Sequence, residues 1–187
     1  MATPRNVAVI VGSLRKASFS RVAALALAKL APEGMTLTIV EIGDLPLYDQ
    51  DLDDEKRPPA AWTAFRDAVR DKDAVLFVTP EYNRSVPGVL KNAIDVGSRP
   101  YGQSVWSGKA AAIMSTSPGA IGAFGANHHL RQSLVFLNMP ILQQPEAYVG
   151  NIGKLFGPEG DFVEEGTRTF FKSFIDAFAG LIERVAG

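Results

Sequence analysis

Apolar residues recur along this chain in two alternating rhythms. "VAVIV" at 7–11 is a short β-branched run without polar interruption, the pattern of a strand buried on both faces. "RVAALALAKL" at 21–30 is rich in alanine and leucine and stops before Pro32, which predicts a helix. "MTLTIVEI" at 35–42 alternates and predicts a second strand. A polar, proline-bearing excursion follows at 43–59, and its acidic run "DQDLDDE" reads as a solvated loop. "AAWTAFRDAVRD" at 60–71 has helical spacing, with Trp62, Phe65 and Val69 on one face. "DAVLFVT" at 73–79 predicts a third, buried strand. "GVLKNAID" at 88–95 predicts a helix, with Pro87 near its start and Gly97 as its stop.

The alternation continues. "GKAAAIMST" at 108–116 predicts a fourth strand and "AFGANHHLRQSLVFLN" at 123–138 a helix. "PILQQPEAYVG" at 140–150 holds a fifth strand broken by Pro145, and 150–162 reads as a loop. A long amphipathic helix from Phe162 to Val185 closes the chain. Its apolar face, Phe170, Phe171, Phe174, Phe178 and Leu181, belongs to a core or an interface. Five strands alternating with five helices imply a parallel sheet covered on both faces, with right-handed crossovers. Such sheets bind ligands at the carboxyl ends of their strands, at the topological switch point. Three loops therefore matter most: 12–20, 80–87 and 115–125.

Composition narrows the chemistry. The 187 residues are 47% hydrophobic with a net charge of -1, which fits one soluble domain over 1–187 and carries no nucleic-acid signature. There is no cysteine, so disulfides, thiolate metal sites and cysteine nucleophiles are excluded, a low-molecular-weight phosphatase among them. No apolar run approaches the ~20 residues that span a bilayer. The first residues lack the pattern of a signal peptide, so a cytoplasmic location without membrane contact is expected. His128 and His129 are adjacent, about 100° apart on a helix, and do not suit one metal ion; no metal site is expected.

The first loop, "GSLRKASFS" at 12–20, carries three serines, two basic residues and no acid. Ser18 and Ser20 read as helix caps. Acids normally sit at a helix N-terminus, yet Arg21 stands there, and no acid precedes Glu33 while five basic residues do. The loop lacks its own anion, and its amides, hydroxyls and arginine suit a phosphate. The glycine spacings of the Walker and dinucleotide cradles are absent, which favours a terminal monophosphate such as that of flavin mononucleotide (FMN). In the second loop, Pro80 and Pro87 stiffen a stretch containing Glu81, Tyr82 and Asn83, with Ser85 read as a cap. It reads as an ordinary connection or as a rigid wall for a planar ring.

Together "GSLRKASFS" and "PEYNRSVPGVLKNAID" resemble the phosphate and flavin-ring signatures of the NAD(P)H-dependent FMN reductases, which include quinone, azo-dye and chromate reductases. "LRQSLVFLNM" and "QQPEAY" are similar too, and the resemblance covers 7–149. It implies a flavodoxin-like three-layer sandwich, a five-stranded parallel sheet of order 2-1-3-4-5. It also implies bound FMN, with NADPH or NADH as co-substrate, and ping-pong hydride transfer to quinone, azo, metal-oxyanion or free-flavin acceptors. By the same resemblance Ser13, Arg15, Ser18 and Ser20 hold the phosphate with Phe19 alongside. Pro80, Glu81, Tyr82 and Asn83 line the ring, mainly through backbone, and Ser117 and Gly119 lie near the ribityl chain or ring. A homodimer or homotetramer is implied. The chain departs from that family at Ser20, often asparagine, and at Val96, often tryptophan. Arg84, Gly125 and His128 stand where close relatives often carry tyrosine, arginine and tyrosine at subunit contacts.

Other functions fit less well. A flavodoxin-type electron carrier shares the fold but is usually strongly acidic. A hydrolase using Ser13 needs a base, commonly in an Asp-x-x-His pair near the C-terminus, and no histidine follows His129. A phospho-acceptor domain needs an acidic pair after the first strand, which is absent.

Overall fold

The computed structural model describes residues 3–187. Five strands, β1 Arg5–Val11, β2 Met35–Ile39, β3 Ala74–Thr79, β4 Ala110–Thr116 and β5 Ala147–Val149, form one sheet of order β2-β1-β3-β4-β5. Every pairing is parallel. The helices are α1 Phe19–Leu30, α2 Gln50–Asp54, α3 Ala60–Arg70, α4 Gly88–Gly97, α5 Phe124–Phe136 and α6 Glu165–Ala186. The predicted flavodoxin-like sandwich and its strand order are what the chain adopts.

The period of two divides the sheet between two cores. Val7, Val9 and Val11 join α1 and the phenylalanines of α6 on one face. Ala8 and Ile10 join α3, α4 and α5 on the other. Both β3 and β4 are wholly buried, which explains their uninterrupted apolar runs. Between β1 and β3 the chain order reverses, so the loops after those strands open side by side.

Several local expectations are corrected. β2 ends at Ile39 rather than at Ile42, although the Val40 amide still donates to Val9. The last helix begins at Glu165, not Phe162. Phe162 instead bridges to Phe156 across a turn closed by the Gly157 amide on Asp161, and stacks edge-on against Phe171 at 5.1 Å. Gly97 is the last residue of α4, but not through a left-handed cap: a Cβ there would lie 2.5 Å from the Trp106 ring.

The excursion at 43–59 is not a solvated loop throughout. It carries α2, capped by Asp49, and buries Asp53, whose side chain is 2% exposed. Both Asp53 oxygens accept from Arg66, at 2.9 and 2.7 Å, and the Arg66 Nε donates to the Val96 carbonyl. The guanidinium lies over Trp62, 5.6 Å from the ring centroid. Asn92 of α4 accepts from the Tyr48 amide and donates to the Leu45 and Pro46 carbonyls. Trp62 Nε1 donates to Pro46 as well. Burial, then the Asp53 charge, push the Tyr48 phenol above its usual range. A periodicity reading counts four aspartates and one glutamate as surface; the partner that buries one of them lies on a different helix.

Candidate active site

The first loop leaves the sheet pressed against β3. The Gly12 amide donates to Val78, and a Cβ at Gly12 would come within 2.7 Å of the Thr79 hydroxyl. Ser18 is the N-cap of α1 and accepts from the Arg21 amide at 3.2 Å. Ser20 is not a cap; its buried hydroxyl lies 2.8 Å from that of Thr116 and joins the start of α1 to the end of β4. Arg21 turns away to Glu41 at 2.6 Å, so its charge is already matched. Arg15 and Lys16 are exposed, and among the described residues neither has a carboxylate within 4.0 Å. The loop's positive charge therefore rests on these two.

Hydrogen-bond direction shows what the hydroxyls have left. Ser13 accepts from the Arg15 amide at 3.4 Å, and Ser18 accepts from Arg21. Each oxygen is used as an acceptor, which leaves each O–H free to donate. In the Ser20–Thr116 pair one hydroxyl donates to the other, and one hydrogen remains. Hydroxyl donors beside a cationic side chain at a helix N-terminus fit a phosphate.

The second loop is a miniature hairpin. Tyr82 and Ser85 exchange backbone bonds of 3.1 and 3.0 Å. Asn83 and Arg84 between them both have positive φ, 52° and 65°, as a two-residue type I′ turn requires. Ser85 does not cap α4, whose N-cap is Pro87; its hydroxyl lies 3.0 Å from His129 Nδ1 on α5. Glu81 also reaches α5: one carboxylate oxygen accepts from the Ala126 amide at 3.0 Å. The third loop folds back on itself, with the Gly119 amide donating to the Ser117 hydroxyl at 3.0 Å. It is tied to β5 by the Ser117 amide on Val149.

Between the three loops lies a cavity of about 200 Å³. Ser13, Arg15, Phe19, Ser20, Pro80, Glu81, Tyr82 and Ser117 line it, all anticipated from sequence. Ser18 sits behind it as a cap, and Asn83 at the hairpin tip and Gly119 lie outside the lining. Thr116, Pro118 and Ile152 line it and were not anticipated. Thr116 and Pro118 flank Ser117 and were legible as its neighbours. Ile152 carried no signal: it is fully buried in a 3-10 turn after β5, brought in by tertiary folding. Phe19 packs toward that turn, where a Cβ at Gly153 would lie 3.2 Å from its ring.

A larger groove of about 590 Å³ runs between α4 and α5. It follows helix flanks rather than strand ends, which is not where doubly wound sheets bind nucleotides. The two histidines diverge as expected: His128 Nε2 meets the Tyr148 hydroxyl at 3.0 Å and His129 meets Ser85. Burial, then the Glu146 hydrogen bond, raise the Tyr148 phenol above its usual range.

Comparison with known proteins agrees with this fold. Residues 5–154 match the family model described as NADPH-dependent FMN reductase. A quinone reductase of Pseudomonas putida is 61% identical, with 98% of this chain and 97% of that protein aligned. A 2-hydroxy-1,4-benzoquinone reductase of a Burkholderia species is 47% identical, over 95% and 96% respectively. Among solved structures, the flavoenzyme NAD(P)H:(acceptor) oxidoreductase FerB of Paracoccus denitrificans superposes with a TM-score of 0.90. It is 42% identical, covering 96% of this chain and 98% of that one. With the matched residues reaching from the first strand past the third loop, this chain belongs to the NADPH-dependent FMN reductase family.

Proposed function

We propose that the cavity at the three strand ends holds FMN and that the protein is an NAD(P)H-dependent quinone reductase. The observation that carries this is the pairing of free hydroxyl donors with unmatched Arg15 at the start of α1, beside a stiff hairpin. Ser13, Ser18, Ser20 and Arg15 hold the phosphate. Pro80, Glu81 and Tyr82 present backbone and the Tyr82 ring as a wall, with Asn83 turning the hairpin behind them, and Ser117, held by the Gly119 amide, closes the third side. When bound, FMN supplies two-electron transfer between a reduced nicotinamide and a quinone. The side chains bind and orient; none has to act as nucleophile or base. Ser13 has no histidine or carboxylate partner among the described residues, so a hydrolase reading lacks its base.

The test is direct. The purified protein is expected to be yellow, to lose that colour on addition of NADPH or NADH, and to regain it on addition of a benzoquinone. A colourless protein that neither takes up FMN nor oxidises either nucleotide would sink the reading. Yellow protein that no nicotinamide nucleotide bleaches would instead mark an electron carrier.

The reading extends to the whole chain as one domain, since both cores share one sheet. It places the enzyme in the cytoplasm, where reduced nicotinamide is regenerated; among the described residues no helix is long and apolar enough to cross a membrane. It also makes the protein a homodimer or homotetramer. Val135 and Phe136 of α5 are 70% and 79% exposed beside the α4–α5 groove, an apolar surface that suits a second copy. Phe136→Glu is expected to shift the sedimenting mass toward monomer, and a wild-type chain that sediments as monomer at micromolar concentration would refute the assembly.

A further inference from the structure

Helix α5 begins without a cap of its own. Its N-cap position is Ala123, in the left-handed region at φ 60°, with no side-chain bond to the first turn. Alanine is a poor cap, and the exposed amides of a first turn call for an acceptor. The acceptor comes from another loop. Glu81 reaches the Ala126 amide, the third of the helix, at 3.0 Å, and its side chain is only 13% exposed. A carboxylate there also faces the positive end of the helix dipole.

Gly125 makes room for this contact. A Cβ at 125 would lie 2.9 Å from both the Glu81 carboxylate and the Arg84 carbonyl. Glycine is a poor residue inside a helix, so its presence in the first turn needs such a reason. The hairpin is fastened a second time where Ser85 meets His129, one turn further along α5. The hairpin at 80–87 and the loop that leads into α5 are two walls of the same cavity.

We propose that Glu81 is a positioning residue. Glu81 lines the cavity, and its side chain caps α5 and locks the hairpin and the third loop into one unit of set spacing. The effect on flavin binding rests on the function proposed above; the capping itself does not.

The test uses the full-length chain stripped of flavin, with amide hydrogen exchange and an FMN titration read on the same samples. In Glu81→Ala, exchange is expected to quicken about tenfold or more in both 80–87 and 122–127, with α6 unchanged, and FMN to bind about tenfold more weakly. Glu81→Gln keeps an acceptor oxygen and is expected within about threefold of wild type, because neutral caps serve nearly as well as charged ones. Gly125→Ala leaves residue 81 unsubstituted and favours the helix intrinsically, yet is expected to speed exchange at 80–87 by displacing the Glu81 carboxylate. Unchanged exchange in either segment of Glu81→Ala overturns the proposal. So does a Gln variant no better than alanine, or unchanged exchange at 80–87 in Gly125→Ala. If the wild type takes up no FMN, the flavin reading fails while exchange still decides the cap.

Discussion

Arg66→Ala is expected to destabilise the protein by about 3–5 kcal/mol, because it leaves Asp53 charged, buried and alone. The Asp53 and Arg66 side chains are 2% and 6% exposed, so water does not screen the loss. The guanidinium also holds the Val96 carbonyl and covers Trp62, which alanine abandons. Chemical denaturation reads the effect as a lower midpoint. The double variant Arg66→Met, Asp53→Leu is expected to recover most of it, since well-packed apolar pairs often replace buried ion pairs at little cost. A loss under about 1 kcal/mol in Arg66→Ala would place it among ordinary surface changes and refute the account.

Arg15→Ala is expected to weaken FMN binding roughly ten- to a hundredfold, the worth of about 1.5–3 kcal/mol for a charge-assisted hydrogen bond. Arg21 offers no substitute, being engaged by Glu41 at 2.6 Å. The fold does not depend on Arg15, an exposed residue that bonds to Ser13 through its backbone amide and not its side chain, so thermal stability without flavin is expected to stay put. Arg21→Ala serves as the contrast and should weaken FMN far less. Equal losses from the two variants in a fluorescence titration would refute the division of roles.

The strands and the longer helices were legible because burial imposes a period. β1, β3 and β4 read as apolar runs, and α3 showed Trp62, Phe65 and Val69 on one face. The cavity's place followed from strand order, since strand ends at a switch point are where loops converge. What escaped were pairings between residues far apart in sequence. Asp53 looked solvated until Arg66 came to it, and Ser85 looked like a cap until His129 did. Arg21 looked free because Glu41 lies beyond the second strand. Ile152 reached the cavity through a short turn that periodicity cannot register.

The sheet's two borders have a consequence for self-association. β5 is three residues long, and Gly122, at φ 66°, lies flat on its backbone at Tyr148. On the opposite border β2 offers five residues, alternating with exposed threonines at 36 and 38. Short, polar or covered borders give a stranger's strand little to hydrogen-bond with. Open-ended ribbon growth through the sheet borders is thus disfavoured, and any pairing of copies is left to surfaces other than the strand edges.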